Sequence, residues 1–341
     1  PESADQPENT DRQENAEEPK DAEEPKDADQ PESAEEPKDA DQPESAEEPK
    51  SADRPENAEE SEDTDRQKSA EEQESAGQQP QPQQAAPTSV NGKGNGVFGN
   101  TITVINNAAK ALKLTLKDVK IDVSNDYDFN DGKAALSVQG DGNVTIELDG
   151  KNELKSGYGR AGLEKNTSKG TLTLKDDKEA GSGSLKATGG KYGAGIGGGN
   201  YGSGENITIT GGRVNATGGW GSAGIGGGNY GRGNYGSGKN ITIKGGTVTA
   251  KGGDCGAGIG GGGNSSGNNI TITGGTVNAT GGWGGAGIGG GDGGYGGYGN
   301  GKNITITDGT VTATGGIHGA GIGGGDSGIG EDITITGGTV N

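Results

Sequence analysis

Asn269-Ile270-Thr271-Ile272-Thr273-Gly274-Gly275-Thr276-Val277-Asn278-Ala279-Thr280-Gly281-Gly282 decides the fold of this chain. Its two alternating stretches, Ile-Thr-Ile-Thr and Val-Asn-Ala-Thr, have the period of a strand with one buried face, and a pair of glycines breaks the chain after each. The phrase recurs. Asn or Asp followed by Ile-Thr-Ile begins at Ile207, Ile241, Ile270, Ile304 and Ile333, at intervals of 34, 29, 34 and 29 residues. A second phrase, Gly-Ile-Gly-Gly-Gly, stands around Ile196, Ile225, Ile259, Ile288 and Ile322, at intervals of 29, 34, 29 and 34. Self-similarity of this size predicts a solenoid, because one such unit cannot hide its apolar face from water and a stack of them can.

Three short strands with glycine corners make one coil of a β-helix. In the coil that starts at Ile207, the residues expected to point inward are Ile207, Ile209, Val214, Ala216, Ala223 and Ile225. Glycine suits the corners because it accepts positive φ and lets backbone approach backbone. Residues 101–189 repeat less strictly but keep the alternation, in Leu112-Lys113-Leu114-Thr115-Leu116, Val144-Thr145-Ile146-Glu147-Leu148 and Thr171-Leu172-Thr173-Leu174. There, Arg160-Ala161-Gly162-Leu163 takes the place of the later Gly-Ala-Gly-Ile. The expected organisation is therefore less regular coils over 101–189 and glycine-rich 29/34-residue repeats over 190–341. Pro1 is not an initiator and Asn341 falls inside a repeat, so the sequence is expected to be a fragment.

Ahead of the coils the chain changes chemistry. Residues 1–80 carry 30 acidic and 8 basic side chains, and the rest of the 341-residue chain carries 20 and 21. The molecule reads as an acidic tail on a near-neutral body. Over residues 1–76 the tail runs in hexapeptides with proline at Pro19, Pro25, Pro31, Pro37, Pro43, Pro49 and Pro55. Proline every six residues stops helix propagation, and almost nothing apolar is available for burial, so the tail is expected to be disordered and extended. It reads equally well as a stalk and as a solvating segment. Residues 77–100, first Gln/Pro-rich and then Gly/Asn-rich, read as a linker.

Composition limits function. No cluster of Lys and Arg offers a phosphate-binding footprint, so nucleic acid is not an expected partner. No apolar run is long enough to span a bilayer. Cys255 is the only cysteine and His318 the only histidine, so neither a disulfide within the chain nor a histidine metal cluster is available. Both occupy a variable loop position, filled in other repeats by Tyr192, Gly221 and Gly284, and Cys255 reads as a tolerated loop substitution.

The phrase at 269–282, followed after Trp283-Gly284 by Gly-Ala-Gly-Ile-Gly-Gly-Gly, resembles the right-handed β-helix repeats of secreted and cell-wall proteins of Gram-positive bacteria. Residues 101–174 are more loosely similar to carbohydrate-binding β-helix proteins related to the pectate lyase fold. The resemblance implies an all-β, right-handed parallel β-helix solenoid behind the acidic tail, an extracellular or cell-wall location, and polysaccharide binding.

The candidate site residues are aromatic. Trp220 and Trp283 stand five residues before the central Ile in alternate coils, and Tyr201, Tyr230, Tyr235, Tyr295 and Tyr298 follow the glycine run. The five extra residues of the longer repeats fall in this Tyr-bearing loop. In register, these rings would line one exposed edge of the rod, suited to the apolar faces of sugars or to protein contacts. A second column, four residues after the central Ile, holds Asn200, Asn229, Gly263, Asp292 and Asp326. Asp292 and Asp326 are candidate Ca²⁺ ligands, while an Asx turn or an amide ladder is the plainer account of the column. Asp254, Glu331 and Asp332 are isolated carboxylates, and no catalytic residue is expected. Asn-X-Ser/Thr at Asn206, Asn215, Asn240, Asn269, Asn278 and Asn303 follows the repeat phase and reads as strand entry. The expected function is binding or adhesion at a cell surface, to a polysaccharide or a host or cell-wall component. The alternatives are a self-associating structural wall protein and a polysaccharide lyase or hydrolase.

Overall fold

Parallel pairing in register is what the repeated Ile and Val positions dictate. In the computed structural model, which describes residues 88–91, 96–124, 132–165, 168–178, 181–229, 236–294 and 298–341, all of the strands pair in parallel. They form a 15-stranded sheet and an 8-stranded sheet. The chain is an all-β parallel β-solenoid, and no α-helix occurs among the described residues. The acidic tail lies outside them. The chain divides after Gly77.

Each apolar column continues from coil to coil. Leu112, Val144, Leu172, Ile207, Ile241, Ile270, Ile304 and Ile333 stack in one line, and Leu185, Val214, Val248, Val277, Val311 and Val340 in another. The third, in the shorter sheet, runs Ile102, Leu136, Leu163, Ile196, Ile225, Ile259, Ile288 and Ile322. Ile241, Ile243, Ile270 and Ile272 are fully buried, and burial of each such side chain contributes roughly 1.5–3 kcal/mol. The looser coils obey the same rule, often with leucine in these places, and Leu136, Ile146, Leu148 and Leu154 are fully buried. Asn152 is the exception in the Val column. It is buried and satisfied on every side, accepting from the Val119 N–H at 2.9 Å and donating to the carbonyls of Asp149 and Ser184.

Two boundaries differ from the sequence reading. Thr88–Asn91 already pairs in parallel with Leu114–Lys117, and Phe98 bridges Ile121, so the solenoid starts inside the segment read as a linker. The signal there was weak because this first rung has little apolar content beyond Val90 and Phe98. Also, Gly274-Gly275 does not end its strand: Gly267–Thr280 and Gly301–Thr314 each run as one strand through the corner. Gly275 takes a φ of +87°, and the register shifts there, so the corner is a bend that the neighbouring coil pairs across.

The glycine after the central Ile is fixed by close approach. Gly226 has a φ of +133°, and a Cβ built on it would lie 2.0 Å from the carbonyl oxygen of Gly260. The same clash repeats from Gly260 to Gly289 and from Gly289 to Gly323. Only glycine allows the coils to stack at strand spacing here.

Candidate functional site

The corner between the Val strand and the Gly-Ile-Gly strand carries the rings. Tyr158 precedes Leu163 by five residues, Tyr192 precedes Ile196 by four, and Trp220 precedes Ile225 by five. The offset alternates, so the side chains zigzag and meet edge to face. The Tyr158 and Tyr192 centroids are 5.3 Å apart, as are those of Tyr192 and Trp220. Lys191 sits 5.0 Å from the Tyr192 ring centroid. Edge-to-face pairs of this kind hold one another in place while leaving faces open to solvent. Desolvation first, then the hydrogen bond with Tyr192 and the nearby phenols of Tyr192 and Tyr201, push the Tyr158 hydroxyl above the usual tyrosine range. Tyr201 thus joins this patch and is 60% exposed, against 48% for Trp220.

One coil on, the stripe is interrupted by Asp254 and Cys255. It resumes with Trp283, 59% exposed, whose ring lies 5.1 Å from that of His318. Burial, followed by the carboxylates of Asp292 and Asp254, pushes the Cys255 thiol up to about 11. The rings therefore form two patches and not one continuous edge. Tyr298 lines a separate groove with Lys239 and Lys302. Tyr230, Tyr235 and Tyr295 lie outside the described residues. Tyr158, Tyr192 and His318 are the members that repeat phase alone did not assign. The signal was the exchange of glycine and ring between two neighbouring positions from coil to coil.

The column four residues after the Ile has a backbone role. The N–H groups of Asn200, Asn229, Gly263, Asp292 and Asp326 donate to the carbonyls of Gly159, Tyr192, Gly221, Cys255 and Gly284, at 2.6–3.2 Å. Each tie joins one coil to the corresponding corner of the preceding coil, whatever side chain is present. Asp292 forms an Asx turn, accepting from the Gly294 N–H at 2.8 Å, and its carboxylate packs where a Cβ on Gly284 would lie. Asp326 accepts from the Ser327 hydroxyl at 3.3 Å. Among the described residues, no three His, Cys, Asp or Glu side chains converge as a metal site would require. The amide ladder stands elsewhere. Asn240 donates to Asn206, Asn269 to Asn240 and Asn303 to Asn269, at 2.9–3.1 Å, each with φ between +52° and +57°.

A polar groove also lies on the shorter sheet, lined by Thr103, Ser137, Gln139, Arg160 and Glu164 among others. Burial raises the Glu164 carboxyl above its ordinary range, opposed by Arg160 at 3.2 Å and the Ala161 N–H. Glu164 is the one carboxylate in that lining, whereas glycoside hydrolysis ordinarily uses a pair.

A family model described as a beta helix repeat matches residues 207–229, 241–263, 270–292 and 304–326. Each match runs from the first Ile of Ile-Thr-Ile to the column four residues after the central Ile. With the stacked coils, this makes the chain a β-helix repeat protein. Neither a curated protein nor a solved structure matches it.

Proposed function

We propose that the chain is an extracellular or cell-surface binding protein whose β-helix presents the Tyr158–Tyr192–Trp220 patch, and beyond it Trp283 with His318, to a polysaccharide. The observation that carries this reading is the exposure of Trp220 and Trp283 on a parallel stack. Large rings left in water on an otherwise polar, glycine-rich surface favour a partner that covers them. The C–H faces of pyranose rings do so well, since a flat ring packs on them while the sugar hydroxyls stay hydrated. The tail, with its many repelling carboxylates, suits a stalk that holds the body off its anchoring surface. Glycan-array binding by the full chain, lost in the Trp220→Ala/Trp283→Ala variant with unchanged circular dichroism, would support the assignment. An array with no bound glycan, together with reversible end-to-end assembly of the rods, would replace it with the structural reading.

A further inference from the structure

The ladder position two residues before the Ile column carries a symmetric charge pattern. Glu205 pairs in register with Lys239, Lys239 with Asn268, Asn268 with Lys302, and Lys302 with Glu331. Along the rod the order is acid, base, amide, base, acid. Each lysine forms an ion pair on its outer side, Lys239 with Glu205 at 3.5 Å and Lys302 with Glu331. No acid stands between them. At the centre lies a groove of about 260 Å³, lined by Ser237, Lys239, Ser266, Asn268, Tyr298, Asn300 and Lys302, from three successive coils. Its lining continues over those three stacked coils. Ser266 donates to the Tyr298 carbonyl at 2.6 Å, and the Asn300 carboxamide accepts from the Ile329 N–H at 2.9 Å, so the loop carrying Tyr298 is fastened to the coils on either side.

We infer that this groove binds an acidic polysaccharide in which charged and uncharged sugars alternate, laid along the rod, and the inference rests on the polysaccharide-binding reading above. Coils stack at the strand spacing of ~4.8 Å, so the two lysines stand two coils apart, roughly 9.6 Å. The matching ligand is therefore a chain whose anionic groups recur at about twice the coil spacing, as they do when only every second sugar is charged. With carboxylates on Lys239 and Lys302, the uncharged sugars fall opposite Asn268, Glu205 and Glu331. Their hydroxyl and amide N–H groups donate to the Asn268 carbonyl and the two outer carboxylates. The next anions along the chain lie beyond Glu205 and Glu331 and avoid both. A polymer charged on every sugar would set carboxylates against Glu205 and Glu331 and gains less. The outer ion pairs lie at the surface, with Glu331 exposed and Glu205 half-buried, and surface pairs contribute little. The Tyr298 ring, 48% exposed, gives the apolar wall against which a pyranose face packs.

The test is a binding titration of the full chain, at about 0.15 M salt where charges more than roughly 8 Å apart are screened. The probes are an oligosaccharide of alternating glucuronate and N-acetylglucosamine, a fully charged galacturonate oligomer and a neutral N-acetylglucosamine oligomer, all of equal length. The alternating oligomer should bind more tightly than the galacturonate oligomer. Lys239→Gln/Lys302→Gln should weaken it about tenfold or more, since two charge-assisted contacts are lost. Both changes are on the surface, so the melting temperature should stay within a degree or two. Binding that survives Lys239→Gln/Lys302→Gln but disappears in Trp220→Ala/Trp283→Ala would overturn the groove and leave the aromatic reading standing. No binding of the alternating oligomer, or tighter binding of the galacturonate oligomer, would overturn it as well. Displacement by inorganic sulfate at the oligomer's own concentration would reduce the groove to a simple anion site, against the proposal.

Discussion

Backbone conformation sets the requirements of single residues in this solenoid. Gly226 faces the Gly260 carbonyl with no room for a methyl group, so Gly226→Ala should cost at least about 3 kcal/mol in chemical denaturation, against well under 1 for an open surface site. Asn240 sits at φ +53° and bonds to an amide on each side. Asn240→Ala should cost about 1–2 kcal/mol, and Asn240→Gly less, because glycine keeps the backbone and loses only the ladder. Glu164 allows a pH test. Its carboxyl is raised in the folded chain, chiefly by burial. The stability linked to it is therefore whole below the unfolded carboxyl value near 4.3 and is lost as pH rises through the folded value. Glu164→Gln should then gain stability relative to the parent as pH rises above the unfolded carboxyl value; a relative loss would contradict the burial argument. Cys255, held up to about 11, should be alkylated by iodoacetamide with a midpoint well above that of an ordinary thiol.

Elements follow from stacking, and stacking explains what the sequence disclosed. Ile270 lies between Ile241 and Ile304 and is fully buried, so Ile270→Ala should cost about 2–5 kcal/mol. Asn278, exposed on the outward face of the same coil, should cost far less when changed to alanine. Equal losses at the two positions would argue against a stack in which each coil rests on the next. The Ile and Val columns were legible because period-two alternation and a fixed repeat both point at them. The Asn206 column was visible as a recurrence, but its role was not, since nothing in the order of residues reveals a positive φ or an amide bonded to the next coil. The ring patches were half legible. Trp220 and Trp283 announce themselves, whereas Tyr192 meets Trp220 only because neighbouring coils place their rings one position apart. The Lys239 and Lys302 groove was hidden for a similar reason. Its members are about 30 residues apart in sequence, and only register brings them to one side.

On the scale of the whole molecule, charge and shape are divided between two parts of the chain. The acidic residues are concentrated in the first 80 positions, and the rest of the chain is nearly neutral, with exposed rings among its surface groups. A neutral glycan held by the rings should bind with little dependence on salt, while an acidic one held by the lysines should weaken as salt rises. The two tryptophans of the chain are Trp220 and Trp283, both in the proposed ring patches, so their emission reports directly on those surfaces. Tryptophan fluorescence of the full chain, titrated with the polysaccharide that an array selects, is the most direct measurement. Binding on the rings should shift the emission to the blue and saturate with the binding isotherm, and the Trp220→Ala/Trp283→Ala variant should lose that affinity. Saturable binding with the tryptophan emission unmoved and the variant's affinity unchanged would contradict the account.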